Sequence, residues 1–211
     1  MAEYGYIPES PDQSFRNNKG IFTANDVYDL TNQDKWTNYG QLELIQTQTV
    51  DDSDFSEEIG FVDFTNLGDY DVHFLTYTDF VLQGYGYPSL RFYESGVLET
   101  AAVYDYGYQD GISSNTFSQS YSTGDDFLRL GKNAYQNING YAYIYNAKHN
   151  SKYTFVTSHS SMVEGNNLGS QMSYGSGVLQ QTSVVDGIRF MSDPMQWIAS
   201  LEVSLYGVKF S

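Results

Sequence analysis

Residues 72–82 read VHFLTYTDFVL, a run in which apolar and β-branched side chains fill most positions. Side chains in a β-strand point alternately to its two faces, so such a run indicates a long strand with two distinct surfaces. Strict alternation predicts His73, Leu75, Tyr77, Asp79 and Val81 on one face, and Val72, Phe74, Thr76, Thr78, Phe80 and Leu82 on the other.

The sequence on both sides of this strand repeats the pattern of strand, turn and strand. Strands are predicted over residues 59–64, 90–93, 98–108, 127–130, 140–145, 152–160, 172–182, 184–191 and 197–208. A parallel sheet would need helical crossovers, and residues 59–211 show no helical pattern. We therefore predict an all-β fold, a jelly-roll-like antiparallel β-sandwich, in which the Ser-rich residues 112–126 form a long surface loop.

Residues 1–58 have a different character and are predicted to form an extended N-terminal arm with one short helix. Thr23 is a good N-cap residue, and Asp26 stands three positions on as in a capping box, which predicts a helix over residues 24–31. Residues 42–50 favour a strand or a docked ribbon. The acidic connector 51–58 marks the predicted boundary with the sandwich of residues 59–211.

The predicted arm contains large apolar side chains in segments too short to bury them. Apolar surface that cannot be buried within its own segment commonly marks an interaction site. We interpret these residues as assembly anchors: Tyr4, Tyr6, Ile7, Phe15, Ile21, Phe22, Trp36 and Tyr39.

The charge is strongly one-sided, with a formal net value of −16, and most of the excess acid lies in residues 1–70. Such a chain repels phosphate backbones and anionic bilayers, so neither nucleic-acid binding nor membrane insertion is expected. Two interpretations remain open: solubility in salty surroundings, or an acidic arm that meets a basic partner. The absence of Cys, of a signal peptide and of a long apolar stretch favours synthesis in the cytoplasm.

No pattern of catalytic or metal-binding residues is specific enough to predict an enzyme. The chain lacks a Gly-x-Ser-x-Gly elbow and a P-loop, and its three His residues are widely spaced. Residues 51–58 resemble a calcium loop only in composition, because Ser56 stands where an EF-hand needs Gly. A calcium site using Asp51, Asp52, Asp54 and Glu57 is a minor alternative to a solvated turn. We expect no catalytic residue, metal or cofactor.

Tyrosines crowd the middle of the chain together with amide and carboxylate side chains. One interpretation is that these tyrosines pack the sandwich or a subunit interface. The other is a sugar-binding face, because aromatic rings cover the apolar faces of pyranoses while polar groups bind the hydroxyls. The candidate surface is Gln83, Tyr85, Tyr87, Tyr106, Tyr108 and Asp110, and Trp197 is a further anchor candidate.

Two groups of segments resemble a known class of proteins. The first comprises GYIP at 5–8, NNKGIF at 17–22, DVYDL at 26–30, KW at 35–36 and GQLELIQTQT at 40–49. The second comprises VDGIRF at 185–190 and IASLEVSLYGVK at 198–209. Together they are similar to small virion structural proteins of tailed phages, especially phages of marine bacteria and cyanobacteria. The chain departs from the class at 193–197, where DPMQW replaces a short turn.

The resemblance implies a β-sandwich closed by the C-terminal pair of strands, and a location in the virion after synthesis in the host cytoplasm. The expected function is that of a structural component, either capsid decoration or cement, or part of the tail or its fibres. Its expected partners are other virion proteins and further copies of itself, for example in a trimer. The alternative is an adhesin that binds a host surface glycan, and the third hypothesis is a polysaccharide-degrading enzyme.

Overall fold

A computed structural model describes residues 13–14, 17–18, 23–33, 42–53, 56–113, 116–132, 137–164 and 169–208. The chain divides into two compact units, Met1–Gln41 with Phe210–Ser211, and Leu42–Lys209. The elements of the first unit are β1 (Gln13–Ser14), β2 (Asn17–Asn18) and α1 (Ala24–Asn32). Those of the second are β3 (Leu42–Asp51), β4 (Phe61–Phe64), β5 (Val72–Leu82), β6 (Tyr87–Glu94), β7 (Val97–Leu98), β8 (Tyr104–Ile112), β9 (Thr116–Asp125), β10 (Leu128–Arg129), β11 (Ile138–Tyr145), β12 (Thr154–Glu164), β13 (Gly169–Leu179), β14 (Val185–Asp193) and β15 (Ile198–Val208).

Helix α1 begins at the capping box that the sequence predicts. The backbone N–H of Asp26 donates to Thr23 Oγ1 at 3.2 Å, and the Asp26 carboxylate accepts the Thr23 backbone N–H at 2.7 Å. Two N–H groups that the first turn leaves without helical partners are thereby satisfied. The predicted helix is confirmed, and it ends at Asn32, one residue beyond the predicted end.

The second unit is an antiparallel β-sandwich, as predicted. An eight-stranded sheet runs β3-β15-β5-β11-β12-β13-β8-β9, and a five-stranded sheet runs β10-β6-β14-β4 with β7 added to β6. The strand order is that of a jelly roll, in which successive strands alternate between the two sheets except for the fourth and fifth, which are neighbours in one sheet. When β3, β4, β5, β6, β10, β11, β14 and β15 are counted one to eight, they pair in the orders 1-8-3-6 and 2-7-4-5.

Two insertions widen one sheet of this jelly roll. Strands β8 and β9 lie between the fourth and fifth jelly-roll strands, and β12 and β13 lie between the sixth and seventh. The insertions join each other because β13 pairs with β8 along the register Gln171–Ile112 to Leu179–Tyr104. The eight-stranded sheet therefore extends well past the width of a jelly-roll sheet, and this extension positions the candidate site described below.

Aromatic side chains from both sheets meet in the core between them. The Phe190 ring of β14 lies 5.0 Å from Tyr77 and 5.0 Å from Phe80 of β5. Phe92 of β6 packs 6.1 Å from Tyr104 of β8. All five side chains are fully buried, and burial of each such aromatic ring stabilises the fold by about 1.5–3 kcal/mol.

Strand β5 departs from the strict alternation that its sequence predicts. His73, Leu75 and Tyr77 face the core, but so do Phe80 and Leu82. The switch occurs at Asp79, whose φ of 51° lies in the left-handed region and whose backbone N–H donates to Asn139 Oδ1 at 3.0 Å. The pairing of β5 with both neighbours shifts register here, so a β-bulge moves the end of the strand onto the core face.

Two further expectations need correction. Residues 112–126, predicted as a loop, contain the edge strand β9, which pairs along β8 from Ile112–Thr116 to Tyr104–Asp125. The boundary between the units lies after Gln41 rather than after residue 58, because β3 pairs with β15 as the first jelly-roll strand. In the described part of the chain, no helix has the length and apolarity needed to cross a membrane.

Candidate functional site

A single row of directly paired residues crosses the outer face of the eight-stranded sheet. Each residue of the row is directly opposite the next one on the neighbouring strand. From β3 to β9 the row reads Leu44, Tyr206, Phe74, Tyr143, Thr157, Ser176, Gly107 and Tyr121.

Large rings fill the first half of the row. Phe74 packs 4.7 Å from Tyr143, 5.7 Å from Tyr141 and 6.1 Å from Tyr206. Paired aromatic rings on one sheet face support each other's orientation and add to strand pairing. Tyr141 and Tyr143 on β11 are therefore held in place by their packing against Phe74.

The second half of the row consists of small residues and ends at another aromatic ring. Thr157, Ser176 and Gly107 have small side chains or none, whereas Tyr121 on β9 is 79% exposed. The face between Tyr143 and Tyr121 is therefore concave. We call this depression the trough: its floor is Thr157, Ser176 and Gly107, and its walls are Tyr141, Tyr143 and Tyr121. Its volume of about 720 Å³ lies within the range usual for ligand sites.

Polar side chains lie along the trough beside the aromatic rings. The imidazole of His159 stacks on Tyr141 with ring centres 5.6 Å apart, and the Tyr174 hydroxyl donates to Gln109 Oε1. Gln119 also lines the trough. None of the described residues that line it is Asp, Glu, Lys or Arg. Aromatic walls with a few amide, hydroxyl and imidazole groups can bind a neutral polar ligand.

Three residues of the sequence-predicted ligand surface are buried instead. Tyr106, Tyr108 and Asp110 are 6%, 4% and 0% exposed, because the inward positions of β8 are 104, 106, 108 and 110. Burial raises the pKa of both tyrosines above the ordinary value, so their hydroxyls stay protonated. The prediction of a ligand surface formed by these three side chains is corrected: they pack the sandwich, and of the three only Tyr108 also lines the trough.

Asp110 joins strands inside the fold. Its carboxylate accepts hydrogen bonds from Ser173 Oγ of β13 at 2.5 Å and Ser118 Oγ of β9 at 3.2 Å. Lys132 Nζ lies 4.0 Å from it. A buried carboxyl group needs such partners, so Asp110 links β8, β9 and β13.

The other members of the predicted surface lie elsewhere in the sandwich. Tyr87 is half-buried under the Arg129 guanidinium, 3.8 Å from its ring centre, and Arg129 Nε donates to Asp193 at 3.0 Å. Gln83 and Tyr85 are exposed. Trp197 is half-buried, and its carbonyl accepts the Gln83 backbone N–H at 2.9 Å. None of these residues lines the trough.

The remaining predicted sites are the assembly anchors and the acidic connector. The eight assembly anchors, from Tyr4 to Tyr39, lie outside the described residues, and so does Asp54 of the alternative calcium site, so both predictions stay predictions. In the acidic connector, the Asp52 carboxylate accepts hydrogen bonds from the backbone N–H groups of Ser56 and Glu57, at 2.8 and 3.0 Å. Among the described residues, no three His, Cys, Asp or Glu side chains are grouped closely enough to hold a metal ion.

Sequence reasoning missed the trough because its parts come from five strands spread over residues 107–176. Its one local signal was the alternation of Phe117, Gln119 and Tyr121 within a Ser-rich segment, which indicates a strand with an aromatic face. Whether these residues lie opposite Tyr143 depends on the order of strands in the sheet, and no local sequence pattern predicts that order.

Comparisons with family models, with curated proteins and with solved structures find no match. The class of protein is therefore defined by fold and site alone. The second unit is a jelly roll, and the outer face of its widened eight-stranded sheet carries an aromatic-walled trough. No Asp, Glu, Lys or Arg is among the described residues that line this trough.

Proposed function

We propose that this chain is a structural component of a tailed-phage virion, which attaches through its N-terminal unit and displays the jelly roll. The observation that carries the proposal is where the phage-like segments fall in the fold. Residues 42–49 lie in β3, 185–190 in β14 and 198–208 in β15, which are the first, seventh and eighth jelly-roll strands. Jelly rolls are common in viral capsid proteins and in lectins.

The division into two units supports an attachment role for the N-terminal segment. All described members of the main hydrophobic cluster lie between Val50 and Leu205, within the second unit. The predicted anchors all lie in the sequence of the first unit. We propose that these anchors bind other virion proteins, on the capsid or the tail.

The contacts of the three histidines agree with a non-catalytic role. His73 is buried with Nε2 2.8 Å from the Leu67 carbonyl, and His149 pairs with Asp71 at 3.1 Å in a surface turn. His159 stacks on Tyr141. Each imidazole thus has a packing or pairing role in the fold.

The test is the protein content of purified particles. Particles are produced with the full chain, with residues 1–41 deleted, with Trp36→Ala/Tyr39→Ala, or with Tyr153→Ala as a control on an exposed loop side chain. We expect quantitative mass spectrometry to find the full chain and the control at equal copy number, and at least tenfold less of the other two variants.

Cryo-electron microscopy of the same particles then locates the protein. Density on the capsid lattice identifies a decoration or cement protein, whereas density on the tail identifies a tail or fibre component. Absence of the full chain from particles would overturn the virion proposal. Normal incorporation of the deletion variant would leave a virion component but refute attachment through residues 1–41.

A further inference from the structure

We propose that the trough is a binding site for a neutral oligosaccharide or polysaccharide chain. The exposed face of Tyr121 and the wall of Tyr141 and Tyr143 would stack on the apolar C–H faces of sugar rings. The amides of Gln109 and Gln119 and the hydroxyls of the floor would hydrogen-bond sugar hydroxyls. This site is distinct from the segment proposed to attach the protein to the virion.

Charge selects the class of ligand. The chain carries a formal net charge of −16, yet none of the described residues lining the trough is Asp, Glu, Lys or Arg. Asp105, on the same strand as Gly107, lines an adjoining hollow, where its carboxylate accepts the Gly124 N–H and the Gln180 amide. A phosphate-bearing or strongly anionic ligand would be repelled by the acidic protein and would find no Lys or Arg among these lining residues, so a neutral ligand fits best.

The backbone beneath the trough disfavours a peptide that binds as an added strand. Strands β12, β13 and β8 form the floor, and each is paired on both sides. A peptide that binds by β-augmentation adds to an unpaired strand edge, which this floor does not offer. Recognition at the floor therefore depends on ring faces and side-chain hydrogen bonds, which suit sugars.

Gly107 gives independent support, because packing does not require a glycine there. A Cβ at Gly107 would come no closer than 3.7 Å to Tyr121 Cβ, an ordinary contact. At Gly175, by contrast, a Cβ would lie 2.5 Å from Tyr108 Cβ and 2.6 Å from the Gly107 carbonyl oxygen. Glycine inside a strand commonly marks a bulge, a bend or a place where a ligand or another backbone approaches closely, and the open space at Gly107 leaves room for a ligand to approach.

The dimensions suit several linked sugars rather than one. Tyr143 and Tyr121 stand four strand spacings apart across β12, β13 and β8, which is about 19 Å at the level of the backbone. Two aromatic walls at this separation can stack on different rings of one chain while the floor lies beneath the rings between them.

The experiment is affinity electrophoresis of the full-length recombinant protein. The gels contain the neutral polymers dextran, mannan, laminarin or galactan, with polygalacturonate and heparin as anionic probes. We expect at least one neutral polymer to retard the protein and neither anionic polymer to do so. Isothermal titration with oligosaccharides of the retarding polymer then gives the affinity.

Two variants test the trough from opposite directions. Tyr121→Ala removes an exposed wall, and Gly107→Val raises the floor at a position with room for a side chain. We expect each to weaken binding at least tenfold, while the thermal midpoint of Gly107→Val stays equal to or above that of the wild type. Tyr153→Ala, an exposed tyrosine outside the trough, should bind like the wild type.

Three outcomes would overturn the proposal. One is that no neutral polymer retards the wild-type protein, and another is that retardation persists in both trough variants. The third is that sedimentation shows a wild-type oligomer that Tyr121→Ala dissociates, which would assign the trough to a second copy of the chain. All of these measurements use purified protein, so they are independent of whether the protein enters particles.

Discussion

At the scale of single residues, His73 shows how the interior controls a titratable group. The ring is fully buried, and its Nε2 must carry the hydrogen because the Leu67 carbonyl 2.8 Å away can only accept. Nδ1 is left buried without a hydrogen-bond partner in the described residues. Burial lowers the pKa of His73 below its ordinary value of 6.5, since a charged imidazole would lose its hydration there.

This lowered pKa predicts an acid-sensitive contribution to stability. Between the folded pKa and 6.5 the unfolded chain binds the proton and the folded chain does not, so the free energy of unfolding falls as the pH falls through that window. Above it both states are neutral and the contribution is constant. We expect the wild type to lose stability between pH 7.5 and 5.5 relative to His73→Gln, as measured by urea unfolding.

The control for this prediction is Tyr153→Ala, which changes an exposed side chain and leaves all three imidazoles in place. The control should follow the wild-type pH dependence closely. If His73→Gln and the wild type lost stability in parallel over this range, His73 would not be the group responsible.

At the scale of elements, one polar cluster joins three strands of the five-stranded sheet. Asp63 of β4 accepts two hydrogen bonds from Arg189 of β14, both at 2.8 Å, and one from the Tyr93 hydroxyl of β6 at 2.8 Å. The Arg189 guanidinium also lies 3.5 Å from the Phe61 ring centre. Hydrogen bonding to Asp63 raises the pKa of Arg189 above its ordinary value, so the guanidinium stays charged.

Loss of Asp63 should therefore be costly. Asp63→Ala leaves a partly buried guanidinium and a tyrosine hydroxyl without their acceptor, and we expect a loss of about 2 kcal/mol in the free energy of unfolding. Asp71→Ala, which removes only the exposed partner of His149, should change it by less than about 0.5 kcal/mol. Equal effects of the two substitutions in chemical denaturation would contradict this role.

The same scale shows where local patterns succeed and fail. Alternation predicted the existence of β5, β14 and β15, because a half-buried strand must present apolar groups every second residue. Strand β9 escaped prediction because an edge strand needs little apolar content when its outer face is exposed. The bulge at Asp79 escaped as well, since it depends on contacts with β11 and β15.

At the scale of the whole molecule, the described residues of the main hydrophobic cluster lie within the second unit. Each of them falls between Val50 and Leu205. A protein lacking residues 1–41 should fold, with a thermal midpoint within about 3 °C of the full chain, equivalent to less than about 1 kcal/mol. Calorimetry of both proteins tests this, and failure of the shorter chain to unfold cooperatively would contradict it.

The sequence by itself determined the all-β class, the capped helix α1 and most of the strands. These features depend on side-chain periodicity and on groups three residues apart, such as Thr23 and Asp26, which are local in the chain. The tertiary structure alone decided the jelly-roll strand order, the place of β3 in the sandwich, the inward direction of Tyr106 and Tyr108, and the trough. The physical reason is that each depends on cross-strand register between distant segments, which hydrogen bonding and core packing select together.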